Sequence, residues 1–426
     1  MNNILDIKYQ KHTLENGLEV VLYQYKSLPI VSVNLWYKVG SANETKGKTG
    51  FAHLFEHMMF QGSKNVPKEK HFKYIEEAGG NLNGSTSLDR TNYYETVPSN
   101  SLELALWLES DRMGFLLEAL TQDKLDNQKD VVMNERRQRY DNQPYGLSWE
   151  IIFSNLFPEN HPYHWPTIGW MKDIEQFNLD DVIQFFKTYY APNNASLVIG
   201  GDIEYDSALE LVKNYFEEIP SGQPIPSINI PKVKLSESKK IIHKDNVQLS
   251  KIYLTWETAK LYDEDDATLD ILSDVLTGSK NGRLFKSLVF DKQIAQDVSS
   301  FQYSVNLTGM FIIVATAKPG VELSALKNEI QNELNEIIKN GITEKEFNRS
   351  INTVKSSFIY TLQNLNSLVN QINNYNTNLG EPNSFVYDLG RFQKLKLDSV
   401  KNVTEKYFKN HFVELQIVPK ESSNVN

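Results

Sequence analysis

Two stretches of this chain each occur twice at a spacing of about 220 residues, and that spacing restricts the fold more than any single motif does. Residues 247–258 (VQLSKIYLTWET) follow the pattern of residues 29–40 (PIVSVNLWYKVG), and residues 407–418 (YFKNHFVELQIV) that of residues 189–200 (YYAPNNASLVIG). Solenoid repeats run to roughly 20–50 residues, so a period this long means a duplicated domain. Length agrees, since 426 residues are more than one hydrophobic core sustains and two domains of roughly 200 residues are expected. Pro220, Gly222, Pro224, Pro226 and Pro231 mark the joint, a density that no helix or central strand tolerates. The predicted division is a first domain over 1–218, a linker over 219–236 and a second domain over 237–426.

Each half reads as α+β, an antiparallel-rich sheet packed against helices. Residues 12–23 are a predicted hairpin turning at Glu15, Asn16 and Gly17, because Asn-Gly supplies the positive φ angles of a tight turn. Val31, Val33, Leu35 and Tyr37 alternate with Ser32, Asn34, Trp36 and Lys38, the pattern of a strand with one apolar face. Residues 40–50 form a loop, residues 102–120 and 125–140 have helical length and spacing, and residues 194–199 read as a buried strand.

Composition works by exclusion. The net charge of −10 arises from 44 basic and 54 acidic side chains with no block of like charge, which argues against nucleic acid and anionic membrane as partners. Cysteine is absent, so a transition metal would have to be held by histidine and carboxylate. No run of ~18 apolar residues occurs, and no membrane insertion is expected. The first residues show no basic region followed by an apolar run; as given this predicts a cytoplasmic protein, and a periplasmic mature form that has lost its leader stays open.

Chemistry enters at His53, Leu54, Phe55, Glu56 and His57. Residues four apart on a helix share a face, so His53 and His57 can both aim a ring nitrogen at one ion about 2 Å away. Glu56 lies beside them, placed to take a proton from a water at the metal, and is the candidate catalytic base. The order H-x-x-E-H is the inverzincin signature, and zinc is the metal that best suits imidazole and carboxylate together. The alternative is an amphipathic helix whose histidines are packed or solvated. The second half has no such string, so one zinc per chain is expected, in the first half. His71, beside Lys70 in a charged stretch, is expected to be solvated, and His164, in a loop with Pro and Trp, to be structural.

A tetrahedral catalytic zinc takes three protein ligands and leaves a fourth place for water. Glu135, in the predicted helix with Val131, Val132 and Arg136, is either that third ligand or a solvated helix glutamate, and the residues alone leave both open. Together with the H-x-x-E-H string, this segment resembles the pitrilysin and insulysin superfamily of zinc metallopeptidases. It is most similar to the half-length branch that includes mitochondrial processing peptidase and bacterial relatives. Family members place a ligand glutamate in a V-x-x-E-R helix at about the distance that separates Glu135 from His57, so the resemblance implies that Glu135 completes the site.

Residues 79–94 (GGNLNGSTSLDRTNYY) resemble the family's edge strand beside the metal, where a peptide substrate is implied to add itself as an extra strand. Asn83, Gly84, Ser85 and Thr86 are the implied contacts, the alternative being a Gly-rich hairpin with polar turn residues. Residues 107–113 (WLESDRM) and 161–169 (HPYHWPTIG) are also similar to family motifs, so the resemblance spans nearly the whole chain.

Two departures stand out. Many relatives carry a second acidic residue seven positions before the ligand glutamate; Gln128 is there instead and brings no charge. Active relatives carry an Arg and, seven residues on, a Tyr that bind substrate and stabilise the tetrahedral intermediate. Aligned on residues 283–298 (RLFKSLVFDKQIAQDV), those places hold Val289 and Gln296. One oxyanion donor is typically worth ~3 to 4 kcal/mol. The resemblance therefore implies the zinc-bearing subunit of an endopeptidase that cuts peptides or unfolded segments, in a heterodimer whose related partner carries the Arg/Tyr pair. A self-sufficient homodimer and a non-catalytic scaffold of the same fold are the alternatives.

Overall fold

A computed structural model describes residues 6–228, 230, 233 and 235–420. Of the predicted linker, Asn229, Pro231, Lys232 and Lys234 lie outside the described residues.

The first sheet contains β1 (Tyr9–Thr13), β2 (Glu19–Gln24), β3 (Ile30–Tyr37), β4 (Asn81–Thr86), β5 (Thr91–Pro98) and β6 (Ala195–Gly201), in the order β1-β2-β6-β3-β5-β4. The second contains β7 (Lys239–Asp245), β8 (Lys251–Thr258), β9 (Ala295–Ser304), β10 (Gly309–Ala317) and β11 (Val413–Pro419), in the order β7-β11-β8-β10-β9. Without β1 the two orders are the same, position for position. In both, the pair at one end is parallel, β2 with β6 and β7 with β11, and the remaining pairs are antiparallel. The repeated sequence stretches fall on equivalent strands, residues 29–40 and 247–258 on β3 and β8, residues 189–200 and 407–418 on β6 and β11. The chain is two similar domains of mixed α+β type.

By contact, the described residues of Met1–Arg136, Trp165–Asn229 and Phe358–Asp388 form one unit. Those of Arg137–His164, Ile230–Ser357 and Leu389–Asn426 form another. The first holds the first sheet and also the helix Leu365–Leu379 from far along the chain. The second has a core around Ile252, Leu254 and Trp256 of β8 and Phe311 and Ile313 of β10.

β1 and β2 pair as the expected hairpin, closing at Thr13 and Glu19 around a five-residue connection. Of the Asn-Gly pair, Gly17 alone has positive φ, at 89°. Asn16 instead anchors the turn, its side-chain amide donating to Phe216 O (2.7 Å) and Ile219 O (2.9 Å).

β3 departs from expectation, because its polar face is buried as fully as its apolar one. The helix Leu365–Leu379 covers that face with amides. Asn370 Oδ1 accepts from Asn34 Nδ2 (3.3 Å), Trp36 Nε1 (3.2 Å) and Asn92 Nδ2 (3.3 Å), while Asn373 Nδ2 donates to Asn34 O (2.9 Å) and Ser196 O (3.0 Å). Alternation distinguishes polar from apolar side chains, not wet from dry, and a polar face can be buried when matched partners arrive.

His71 is likewise not solvated. It is 3% exposed and shares the buried face of the helix Lys70–Glu77 with Ile75, four residues on. Its ring lies edge-on to Phe60 with centroids 5.7 Å apart. Burial, and then the charge of Arg112, holds the imidazole well below its usual range, so it is neutral. The lysine beside it describes the other side of the helix.

Candidate metal centre

The helix Phe51–Met58 exists as a two-faced element: Phe51, Ala52, Leu54, Phe55 and Met58 are buried, leaving His53, Glu56 and His57 on the half-open side. It starts at Gly50, whose φ of 88° suits glycine. The carboxyl group of Glu44 closes the helix start, its oxygens accepting from Gly50 N (2.9 Å) and Ala52 N (2.8 Å).

Burial of Glu44, only partly opposed by those amide bonds, pushes its carboxyl up to about 8 from an ordinary 4.5. Between these values the folded chain keeps a proton that the unfolded chain has released. Stability from this source is therefore full below about pH 4.5 and declines as the pH rises to about 8, by at most about 1.4 kcal/mol per pH unit. Thermal melting of Glu44→Gln across that range is expected to lose this decline relative to the parent; equal slopes would mean that Glu44 is ionised throughout.

Glu135 arrives on the helix Gln122–Arg136, which occupies the second predicted helical segment and continues as a widened turn over Arg137–Asp141. Its Oε2 lies 3.7 Å from His53 Nε2 and 3.4 Å from His57 Nε2. The two imidazoles stand 4.9 Å apart at 79°. Among the described residues this trio is the one group of histidines and acids whose donor atoms converge, all within 4.8 Å of one another. The two distances from Glu135 are close to those between ligands of a tetrahedral zinc, which at ~2.0–2.2 Å from the ion stand about 3.3–3.6 Å apart. Side-chain exposures of 14, 25 and 17% for His53, His57 and Glu135 leave the site open on one side, as a fourth, exchangeable position requires. Gln128 is buried, with its amide donating to Asn127 Oδ1 at 3.0 Å.

Glu56 rests against β4. Thr86 Oγ1 donates to Glu56 Oε2 at 2.6 Å, and a Cβ on Gly84 would stand 3.3 Å from Glu56 Cγ and Oε1, so glycine there lets the carboxylate lie close to the strand. Burial raises the Glu56 carboxyl above its usual range, opposed first by the Thr86 bond.

β4 is the last strand of its sheet, and which of its groups face outward follows from the turn. Ser87 N donates to Arg90 O at 2.8 Å, so Ser85 with Asn92 and Asn83 with Tyr94 are the pairs bonded to each other, by the two-residue alternation of antiparallel strands. Leu82, Gly84 and Thr86 therefore turn their N–H and C=O to the open edge. Gly84 N bears this out by donating to Asn83 Oδ1 (2.9 Å) and not into the sheet. Ser85 Oγ donates to Asn92 Oδ1 (2.6 Å). Of the four implied substrate contacts, Gly84 and Thr86 present backbone to the edge and Asn83 and Ser85 present it to β5.

His164 is held by Phe157 O (2.8 Å to Nδ1), a loop-bracing role. Sequence reasoning missed Glu44 as the cap of the histidine helix and Thr86 as the partner of Glu56. Neither has a fixed local spacing to the residue it serves, so no sequence signal could have found them.

Residues 20–161 match the family model described as insulinase (peptidase family M16), and residues 176–354 match the one described as peptidase M16 inactive domain. The zinc protease PqqE of Helicobacter pylori is 32% identical over 95% of this chain and 91% of its own length. A probable mitochondrial-processing peptidase subunit beta from Arabidopsis thaliana is 23% identical over 93% of this chain and 75% of its own. Among solved structures, a protease from Helicobacter pylori superposes with a TM-score of 0.91 at 30% identity, covering 97% of this chain and all of the other.

Proposed function

The chain belongs to the insulinase family, peptidase family M16, a family of zinc proteases, and from that premise we propose that it is a zinc-dependent endopeptidase acting on peptides or unfolded segments. The observation that carries this reading is the meeting of His53, His57 and Glu135 at one point, with Glu56 held against the open edge of β4. His53, His57 and Glu135 would hold one zinc per chain, which when bound supplies a Lewis acid that polarises the scissile carbonyl and acidifies a water. Glu56, oriented by Thr86, takes the proton of the attacking water and hands it to the leaving amine. Its burial favours the protonated form and so strengthens the carboxylate as a proton acceptor. A peptide strand would exchange backbone hydrogen bonds with Gly84 and Thr86, while Asn83 and Ser85 hold the edge in register; such binding is nearly blind to side chains.

The partner follows from what the second half lacks. Val289 is half-buried against the second core, Gln296 is exposed on β9, and Arg283 is engaged by Glu346 at 2.7 and 2.8 Å. With neither Arg nor Tyr at the family positions, a heterodimer with a related subunit that brings the pair is the reading we favour, in keeping with a relative named as a subunit beta. The homodimer is its alternative. Native mass spectrometry with metal analysis is expected to find one zinc in a heterodimer. The purified chain alone is expected to cleave a fluorogenic peptide library two to three orders of magnitude more slowly than with its partner, the deficit of a missing oxyanion donor. Full activity of the lone chain would favour the homodimer, and a zinc-free monomer would sink the proposal.

A scaffold role is the second reading, prompted by the match of residues 176–354 to an inactive-domain model. His53, Glu56, His57 and Glu135 all lie in the other match, over residues 20–161, which favours catalysis. The shared strand order supports assigning the two repeats to 1–218 and 237–426 with 219–236 as the linker. No helix among the described residues is long and apolar enough to cross a membrane.

A further inference from the structure

The segment 161–169, singled out by its resemblance to a family motif, has no part in the chemistry above. The two helices that carry the metal ligands come from separate stretches of chain, and the end of this segment touches both. Gly169 (φ 75°) lies backbone to backbone on Gly50, the residue that starts the histidine helix. A Cβ on Gly169 would stand 2.3 Å from Gly50 N and Cα, and one on Gly50 would stand 2.5 Å from Ile168 O. Next to this contact, Thr49 Oγ1 donates to Asp173 Oδ2 (2.7 Å) and accepts from Trp170 N (3.0 Å). On its other side, Gly169 O accepts from Arg136 Nη1 at 2.7 Å. Arg136 is buried and directly follows Glu135.

We propose that Gly169 and Arg136 are positioning residues of the metal centre, the Gly169 loop setting the separation between the imidazoles of His53 and His57 and the carboxylate of Glu135. The inference rests on the zinc reading above. One glycine thus has its α-carbon against the start of one ligand helix and its carbonyl on the neighbour of the third ligand. No side chain fits between Gly169 and Gly50, so the histidine helix cannot drift from the loop without opening a gap. The Arg136 bond ties the end of the glutamate helix to the same point. Metal–ligand distances tolerate roughly ±0.2 Å, so a shift of one helix beyond that range weakens the hold of its ligand.

The test is the zinc dissociation constant of the full chain, measured by competition with a chromophoric chelator at a temperature where the metal-free proteins are folded. Arg136→Met is expected to weaken zinc about 10–100-fold, the usual effect of losing a partner that orients a ligand. Arg136→Lys, which keeps a donor, is expected to recover part of that loss, and the KM of the zinc-loaded variants is expected to stay near the parent value. Gly169→Ala should weaken zinc at least as much; where it does not fold, the two Arg136 variants carry the test. A folded Arg136→Met with the parent's zinc affinity overturns the proposal, whatever happens to its melting temperature, since a merely structural role would move only the latter. Glu135→Gln in the same assay separates the two readings. If it binds zinc as tightly as the parent, the metal site itself is misassigned, and the positioning role falls with it.

Discussion

Glu56→Gln is expected to bind zinc as the parent does and to cleave peptides about 10²–10⁴-fold more slowly, the usual worth of a positioned general base. The substitution changes little else. An amide oxygen can still accept from Thr86 Oγ1, and the side chain keeps the volume that lies against Gly84. What it loses is the capacity to take a proton, so the effect should fall on kcat with little change in KM. Metal content and turnover measured on one sample decide the matter, because normal cleavage with zinc bound would remove Glu56 from the mechanism.

Removing a ligand should act through the metal. His57→Ala and Glu135→Ala each leave two donors where a catalytic zinc takes three, so both should lose zinc on dialysis together with roughly 10³-fold or more of the activity, several kcal/mol of transition-state stabilisation. Chelation of the parent should reproduce this loss and added zinc reverse it. His164→Ala serves as the control, since its ring braces Phe157 O and should leave metal content unchanged. Should Glu135→Ala retain zinc at the parent's affinity, the third ligand lies elsewhere.

How much of this was legible in advance depended on the range over which each feature is determined. The one-face arrangement of His53, Glu56 and His57 is a property of consecutive residues on a helix, and it was readable without any neighbour. The joining of Glu135 to that pair was not readable from spacing, since a glutamate on a polar helix is ordinarily solvated; only the resemblance pointed to it. The duplicated topology was visible as two weak matches, because β3 and β8, like β6 and β11, occupy equivalent places in their sheets and face equivalent packing demands.

By itself, then, the sequence determined element types, the twofold architecture and the face of one helix that His53, Glu56 and His57 share, all of which follow from periodicities of two or about four residues and from the repeat. Tertiary structure alone decided that Ser32 is dry beneath Asn366 and Asn34 beneath Asn370 and Asn373, that His71 is neutral inside the first unit, and that Glu44 caps the histidine helix. It also decided that Gly169 meets both Gly50 at the start of the histidine helix and Arg136 at the end of the glutamate helix. Each of these depends on which distant segment supplies the hydrogen-bond partner or excludes the water, and a residue's local pattern carries no record of what will be packed against it.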